Sequence, residues 1–135
     1  MPARSKARKR ALDVLFEAEL RGQPVLDVLA ERAADEAPPL PDYAAGLVRG
    51  VHAHQDRIDE LLAEHAHGWA LERMPAVDRN ILRIGAFELL WADDVPDAVV
   101  IDEAVELAKA LSTDDSPAFI NGVLGGILDA EVPTS

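Results

Sequence analysis

The sequence predicts an all-α protein, six to seven helices forming one domain of two packed subbundles that divide near residues 68–75. Three observations predict it. Apolar residues recur at helical spacing along nearly the whole chain, and no stretch alternates apolar and polar residues as a half-buried strand does. Proline or glycine stands at most breaks between the apolar stripes. With 135 residues, 49% of them apolar, the chain has material for a core without a disulfide or metal to hold it.

The first helix is expected from about Ser5 to Arg21. Leu12, Leu15, Phe16 and Ala18 gather on one side, with Lys6, Arg10, Asp13 and Glu17 opposite. Because the apolar face begins only after Arg10, the cationic turns before it are expected to be less buried and to protrude. Gly22 serves as C-cap. Pro24 opens a second helix reaching about Glu36, and Pro38, Pro39 and Pro41 impose a rigid connection. The third helix, Asp42 to His65, carries Leu47, Val51, Ile58, Leu61 and Leu62 as its stripe, and Gly68 helps to end it. Trp69, Leu71 and Met74 form a short apolar turn closed by Pro75.

From Ala76 to Trp91, Val77, Ile81, Ile84, Leu89 and Leu90 give a helix a wide apolar surface, stopped by Asp93-Asp94-Val95-Pro96. The helix from Asp97 to Leu111 is expected to bury Val100, Ile101, Ala104, Val105, Leu107 and Ala108. After a loop, Ser116 is a natural N-cap with Pro117 at the first helical position. The last helix, to about Asp129, should bury Phe119, Ile120, Val123, Leu124, Ile127 and Leu128. Its Gly122, Gly125 and Gly126 each cost about 1 kcal/mol of helix stability relative to alanine. That cost predicts close approach of a neighbouring helix. Residues 130–135 are expected to fray.

Charge is distributed unevenly. The chain carries 13 cations and 25 acids, a net charge of −12. Arg4, Lys6, Arg8, Lys9 and Arg10 fall within the first ten residues, which contain no acid, so residues 1–10 read as a basic arm on an acidic body. Such a body repels phosphate everywhere except at that tip, which would hold a nucleic acid in one place and orientation. Three to five cations on single-stranded RNA would give log affinity a slope of roughly −2 to −3.5 against log salt.

Other chemistries find no support. There is no cysteine, which excludes thiol nucleophiles and cysteine-ligated zinc. His52 and His54 are two apart, as are His65 and His67, and residues two apart on a helix do not converge on a metal. No serine sits in a Gly-x-Ser-x-Gly elbow, and no phosphate loop or dinucleotide fingerprint occurs. Neither catalysis, a metal nor a cofactor is expected. An export signal is excluded by Asp13, Glu17 and Glu19 behind the basic start, and no stretch is apolar enough to span a bilayer. The expectation is a soluble, cytoplasmic protein.

The C-terminal half is more specific. Asp78-Arg79-Asn80-Ile81-Leu82-Arg83-Ile84 is followed by Glu88-Leu89-Leu90, Asp94-Val95-Pro96, Ile101 to Lys109, and Phe119-Ile120-Asn121-Gly122-Val123-Leu124. In order and spacing these blocks resemble the NusB transcription-antitermination family, as does the Arg-x-x-Ala start in Arg8-Lys9-Arg10-Ala11. The resemblance runs over about residues 4 to 128 and is loose over 22–45.

It implies a NusB-like fold and binding of the boxA element in nascent ribosomal RNA leader transcripts. The implied protein partner is the small-subunit ribosomal protein called NusE in that role, and other Nus factors and RNA polymerase complete the assembly. By position, the family's RNA contacts fall on Arg4, Arg8, Lys9 and Arg10, which Lys6 accompanies. Arg83, Asp115 and Phe119 are further candidates, and the resemblance puts Asp78 near the NusE-facing or RNA-facing rim, as a partner-binding residue. Each has a plain structural alternative: Phe119 as core, Asp115 as a helix cap, Arg79 and Arg83 paired with acids of the body. Phe16 is the aromatic residue nearest the basic tip in sequence.

Some relatives self-associate, and a homodimer is left open. Two rival readings stand. One is the NusB-like module of a ribosomal RNA methyltransferase; the other is a helical interaction module that touches no RNA. On the RNA reading, Arg8→Ala with Arg10→Ala weakens RNA binding and leaves thermal stability nearly intact.

Overall fold

Among the described residues there are six α helices, bounded largely where proline and glycine place their ends. The computed structural model describes residues 3–34, 39–66 and 69–131. They are α1 (Ala3–Arg21), α2 (Val25–Ala34), α3 (Asp42–His65), α4 (Ala76–Trp91), α5 (Asp97–Leu111) and α6 (Ser116–Glu131), with a single 3-10 turn at Leu71–Arg73. Among the described residues there is no strand. The expected helix end at Glu36, along with Pro38, His67, Gly68 and the tail from Val132, lies outside the described residues. α6 itself runs to Glu131, two residues into the stretch expected to fray.

Gly22 ends α1 at φ +63°, a backbone region glycine enters without steric penalty. Its N–H donates to Glu19 O at 3.3 Å, and Gln23 N–H reaches Ala18 O at 3.0 Å, so two of the helix's last carbonyls are satisfied. Pro41, Pro75 and Pro96 immediately precede α3, α4 and α5, in extended conformation. Proline suits the start of a helix because the N–H it lacks would have no partner there.

α4 is the central element. It packs against α1, α3, α5 and α6, and so joins the helices before the expected division at residues 68–75 to those after it. Ile81, Leu82, Ile84, Ala86 and Leu89 of α4 join Leu12, Leu15, Leu47, Val51, Ile58, Leu61, Leu62, Ile120, Leu124 and Ile127 in one continuous core. Two glycines permit the closest approaches. A side chain on Gly50 of α3 would run into the Phe87 ring, and a Cβ on Gly85 of α4 would lie 2.7 Å from Leu124. Near its middle α3 bends at His54 (φ −114°, ψ 15°), whose ring stacks on Trp91 at 4.0 Å.

Three expectations about packing need correction. α5 buries only Val100, Ala104 and Ala108; Ile101, Val105 and Leu107 are half-exposed, because α5 lies at the outside of the bundle and packs chiefly against α4 and α6. In α6, Gly126 does meet a neighbour, the His65 ring, but Gly122 and Gly125 face no atom within 4 Å of an added Cβ. The first turns of α1 do not protrude: Ser5, Ala7 and Arg8 are buried.

Candidate nucleic-acid interface

Residues 3–10 form the first turns of α1, and their two faces differ. Arg8 points inward and is 3% exposed. Its Nε donates to Glu88 Oε1 at 2.7 Å and its Nη2 to Glu88 Oε2 at 2.8 Å. Nη1 stands 3.4 Å from Glu103 Oε1, and Glu88 itself is 1% exposed. A fork of this kind matches a carboxylate in both geometry and charge. The Tyr43 hydroxyl donates to Glu88 Oε2 at 2.5 Å, and Ser5 Oγ donates to Glu103 Oε1 at 2.5 Å. Burial works against the charged form of Arg8, but the hydrogen bonds and charge of Glu88 outweigh it and hold the guanidinium above its ordinary value. Burial and then the bond to Glu88 push the Tyr43 phenol up to about 12.

Arg8 is thus not placed to contact RNA. A buried ion pair loses several kcal/mol when one partner leaves, because the other charge stays behind without compensation. Phosphate cannot compete with Glu88 on those terms. The residue instead clamps the start of α1 against α4 and α5 and fixes the orientation of its opposite face.

That opposite face carries the remaining cations. Lys6 is exposed and makes no hydrogen bond or ion pair, a condition it shares, among the described cations, only with Arg49 and Arg73. Lys9 meets Asp13 at 2.9 Å, one helical turn on, with both side chains about half-exposed. Arg10 Nη1 lies 3.5 Å from Pro39 O. Arg4 Nη2 donates to Asp94 Oδ2 at 2.7 Å, and its guanidinium carbon sits 4.5 Å above the Tyr43 ring. The hydrogen bond from Arg4 keeps the Asp94 carboxyl below its ordinary value. Water screens such exposed pairs, so phosphate can replace the carboxylate at little cost. Arg4, Lys6, Lys9 and Arg10 together make a cationic surface on a docked helix rather than on a loose arm.

The other predicted residues lie toward the far end of α4. Arg83 is engaged on three sides: Nε and Nη2 bond Asp59 at 2.9 and 3.0 Å, and Nη1 bonds Glu19 and Asn80, each at 3.1 Å. Arg79 bonds Glu19 and also caps the 3-10 turn through the carbonyls of Leu71 and Met74, at 2.9 and 3.0 Å. Burial tends to raise the Glu19 carboxyl, but Arg79 and Arg83 outweigh it and leave it below its ordinary value. The paired alternative for Arg79 and Arg83 is the one the structure adopts.

Asp78 is 3% exposed, so it is no part of a partner-facing rim. Ser112 donates to its Oδ1 and Ser116 to its Oδ2, the latter at 2.8 Å. These bonds tie the first turn of α4 to the start of α6. Asp115 is exposed, and its carbonyl accepts the Phe119 N–H at 3.3 Å, opening α6. Phe119 is half-buried against Trp69, ring centroids 5.5 Å apart.

Arg8 pairs at Glu88 and Ser116 at Asp78, ten residues apart on α4. At 1.5 Å per residue the two clusters are separated by roughly 15 Å along the helix. The fold sets them at two ends of one surface element and does not merge them. Sequence reasoning missed Tyr43, the aromatic residue that in fact lies beneath the basic tip, and gave Trp69 a place in an apolar turn without its contact with Phe119. Among the described residues no group of three or more His, Asp or Glu is placed to hold a metal, and no helix is long and apolar enough to cross a membrane.

Comparison with known proteins adds independent findings. The family model described as NusB matches residues 5–129. The transcription antitermination protein NusB of Saccharopolyspora erythraea is 64% identical over 129 residues, spanning 94% of this chain and 87% of that protein. The T. maritima NusB structure has a TM-score of 0.85 at 34% identity, covering 98% of this chain and 94% of the other. A chain from a structure of antitermination factors NusB and NusE in complex with double-stranded RNA gives a TM-score of 0.82 at 30% identity, covering 94% and 96%.

Proposed function

This chain belongs to the NusB family, and from that premise we propose that it is a non-catalytic RNA-binding factor of transcription antitermination. In this reading it binds boxA-type RNA of ribosomal RNA leader transcripts together with the small-subunit ribosomal protein acting as NusE. The complex then joins other Nus factors on RNA polymerase and lets transcription pass terminators, in the cytoplasm. The protein does no chemistry; it holds RNA and protein in a fixed relation. A NusB relative solved with NusE and RNA supports the choice of partners.

The carrying observation is the outward face of α1. Lys6 stands without a partner, and Arg4, Lys9 and Arg10 accompany it on a chain whose other residues are strongly acidic. Burying Arg8 against Glu88 directs that face to solvent. With Arg8 withdrawn, four cations remain. On a single strand each neutralised phosphate contributes about 0.7 to the salt slope, so a slope of about −2 to −3 follows.

The test is binding of a boxA-like oligoribonucleotide across a salt series, with and without the ribosomal protein, for the intact chain and for Lys6→Ala combined with Arg10→Ala. The double variant should bind more weakly at low salt, with a slope shallower by roughly 1.4. Affinity indifferent to salt, or an unchanged slope in the variant, would refute the assignment. A duplex of the same sequence, run in parallel, shows whether an unpaired strand is required.

A further inference from the structure

We propose that Asp94 is a built-in competitor for RNA: in the free protein its carboxylate occupies Arg4, and a phosphate gains Arg4 only by displacing it. This rests on the RNA-binding reading above and adds to it a residue that sets how strongly the cationic face of α1 attracts any polyanion.

That face carries four cations, and three of them already have an internal acceptor. Arg4 Nη2 donates to Asp94 Oδ2 at 2.7 Å, Lys9 Nζ lies 2.9 Å from Asp13 Oδ2, and Arg10 Nη1 lies 3.5 Å from Pro39 O. Asp94 is the carboxylate that reaches this face from a distant part of the chain, the loop between α4 and α5. The loop is pinned, because Val95 is buried in the core and its N–H reaches Ala92 O at 3.4 Å. Arg4 is held as firmly. Arg8 docks the turn that carries it, and the Tyr43 ring underlies its guanidinium at 4.5 Å. A carboxylate therefore stands at the edge of a guanidinium whose donors suit carboxylate and phosphate alike.

The pair has the properties of a competitor and not of a strut. Side chains are open to water on both sides, 47% for Arg4 and 65% for Asp94, so the bond contributes little to stability. Tyr43 supports Arg4 from below, so losing the carboxylate leaves the arginine in place. Asp94 also repels the phosphates on either side of one that binds. The outcome is a penalty common to every polyanion. A ligand held weakly loses occupancy in proportion, whereas RNA held at further points and by the ribosomal protein stays bound.

Asp93 supplies the control. It carries the same charge one residue away, is exposed, and makes no bond to Arg4. Asp94→Ala and Asp93→Ala thus change the net charge equally, and only the first frees Arg4. Both are titrated beside the parent with a boxA-like oligoribonucleotide and with polyuridine, over a salt series. At low salt Asp94→Ala should bind both RNAs about two- to fivefold more tightly than Asp93→Ala, the span that an exposed ion pair covers. The margin should close as salt rises, because exposed charges are screened. On an Arg4→Ala background the two variants should bind alike. The thermal midpoint of Asp94→Ala should match that of the parent.

Equal affinities of Asp94→Ala and Asp93→Ala overturn the proposal and leave RNA binding standing, since net charge alone would account for any gain. Weaker RNA binding by Asp94→Ala than by the parent also overturns it, for Asp94 would then hold Arg4 ready for phosphate. So does a clear loss of thermal stability, which would make the pair a strut. If the parent binds no RNA, alone or with the ribosomal protein, the functional reading fails first and takes the competitor with it.

Discussion

Truncating Arg8 to alanine is the most direct test of how the cationic end of α1 is built. The substitution removes hydrogen bonds of 2.7 and 2.8 Å to Glu88 and a charge 3.4 Å from Glu103. Glu88, 1% exposed, is left with the Tyr43 hydroxyl as its only other side-chain donor among the described residues. Removing one partner of a buried pair costs about 3–5 kcal/mol, against a total stability of roughly 5–15 kcal/mol for a domain. With an unfolding entropy of about 2.1 cal/mol/K per residue over this chain, the Tm should fall by roughly 10–18 °C. Circular dichroism at the helical band, followed through heat and urea, measures it. Replacing Arg8 and Glu88 together by methionine should restore most of the loss, because no charge is then left uncompensated. Lys6→Ala, on the opposite face, should stay within about 0.5 kcal/mol of the parent. An Arg8→Ala protein that melts within about 4 °C of the parent yet loses RNA affinity would show the clamp to be a phosphate contact after all.

The same hub gives a spectroscopic prediction. Tyr43 is the only tyrosine, so phenolate absorbance reports on it alone, and its midpoint in the folded protein should lie near 12. Because the folded value stands above the ordinary 10.0, stability is fully held below pH 10 and is lost as pH rises from there toward 12. Glu88→Gln should move the midpoint back toward the ordinary value, and a native-state midpoint near 10 would contradict the buried hydrogen bond. At the α3–α4 crossing, Gly50→Ala drives a methyl into Phe87, itself stacked with His54 and Trp91, and should destabilise by about 1–3 kcal/mol. Gly46→Ala, with nothing nearby, should stabilise by up to about 1 kcal/mol; equal urea midpoints for the two would refute the close crossing.

The helices were legible because their ends are written locally. Gly22, Pro41, Pro75, Pro96 and Pro117 act within one or two residues of themselves, and helical periodicity supplied the rest. Arg8 was misplaced because its partner lies 80 residues along the chain, a distance no local pattern spans. One signal was available: Arg8 precedes Leu12 by four and Leu15 by seven, which puts it on the apolar stripe and not beside it. The same spacing argument places Lys6 and Arg10 outside, where they are. Tyr43 gave no comparable hint, since its position under Arg4 depends on α3 running alongside α1. Asp78 lies on the first turn of a helix, where a carboxylate is ordinary. Only the fold shows it closed off by Ser112 and Ser116.

The clamp on the first turns of α1 has a consequence for biosynthesis. The residues that shape it are far apart in the order of synthesis: Glu88 follows Arg8 by 80 residues, and Glu103 follows Ser5 by 98. A nascent chain halted before Glu88 has its cations but nothing to seat them. Ordering of this cationic turn therefore waits on α4 and α5, and the leading segment is among the last parts of the protein to mature.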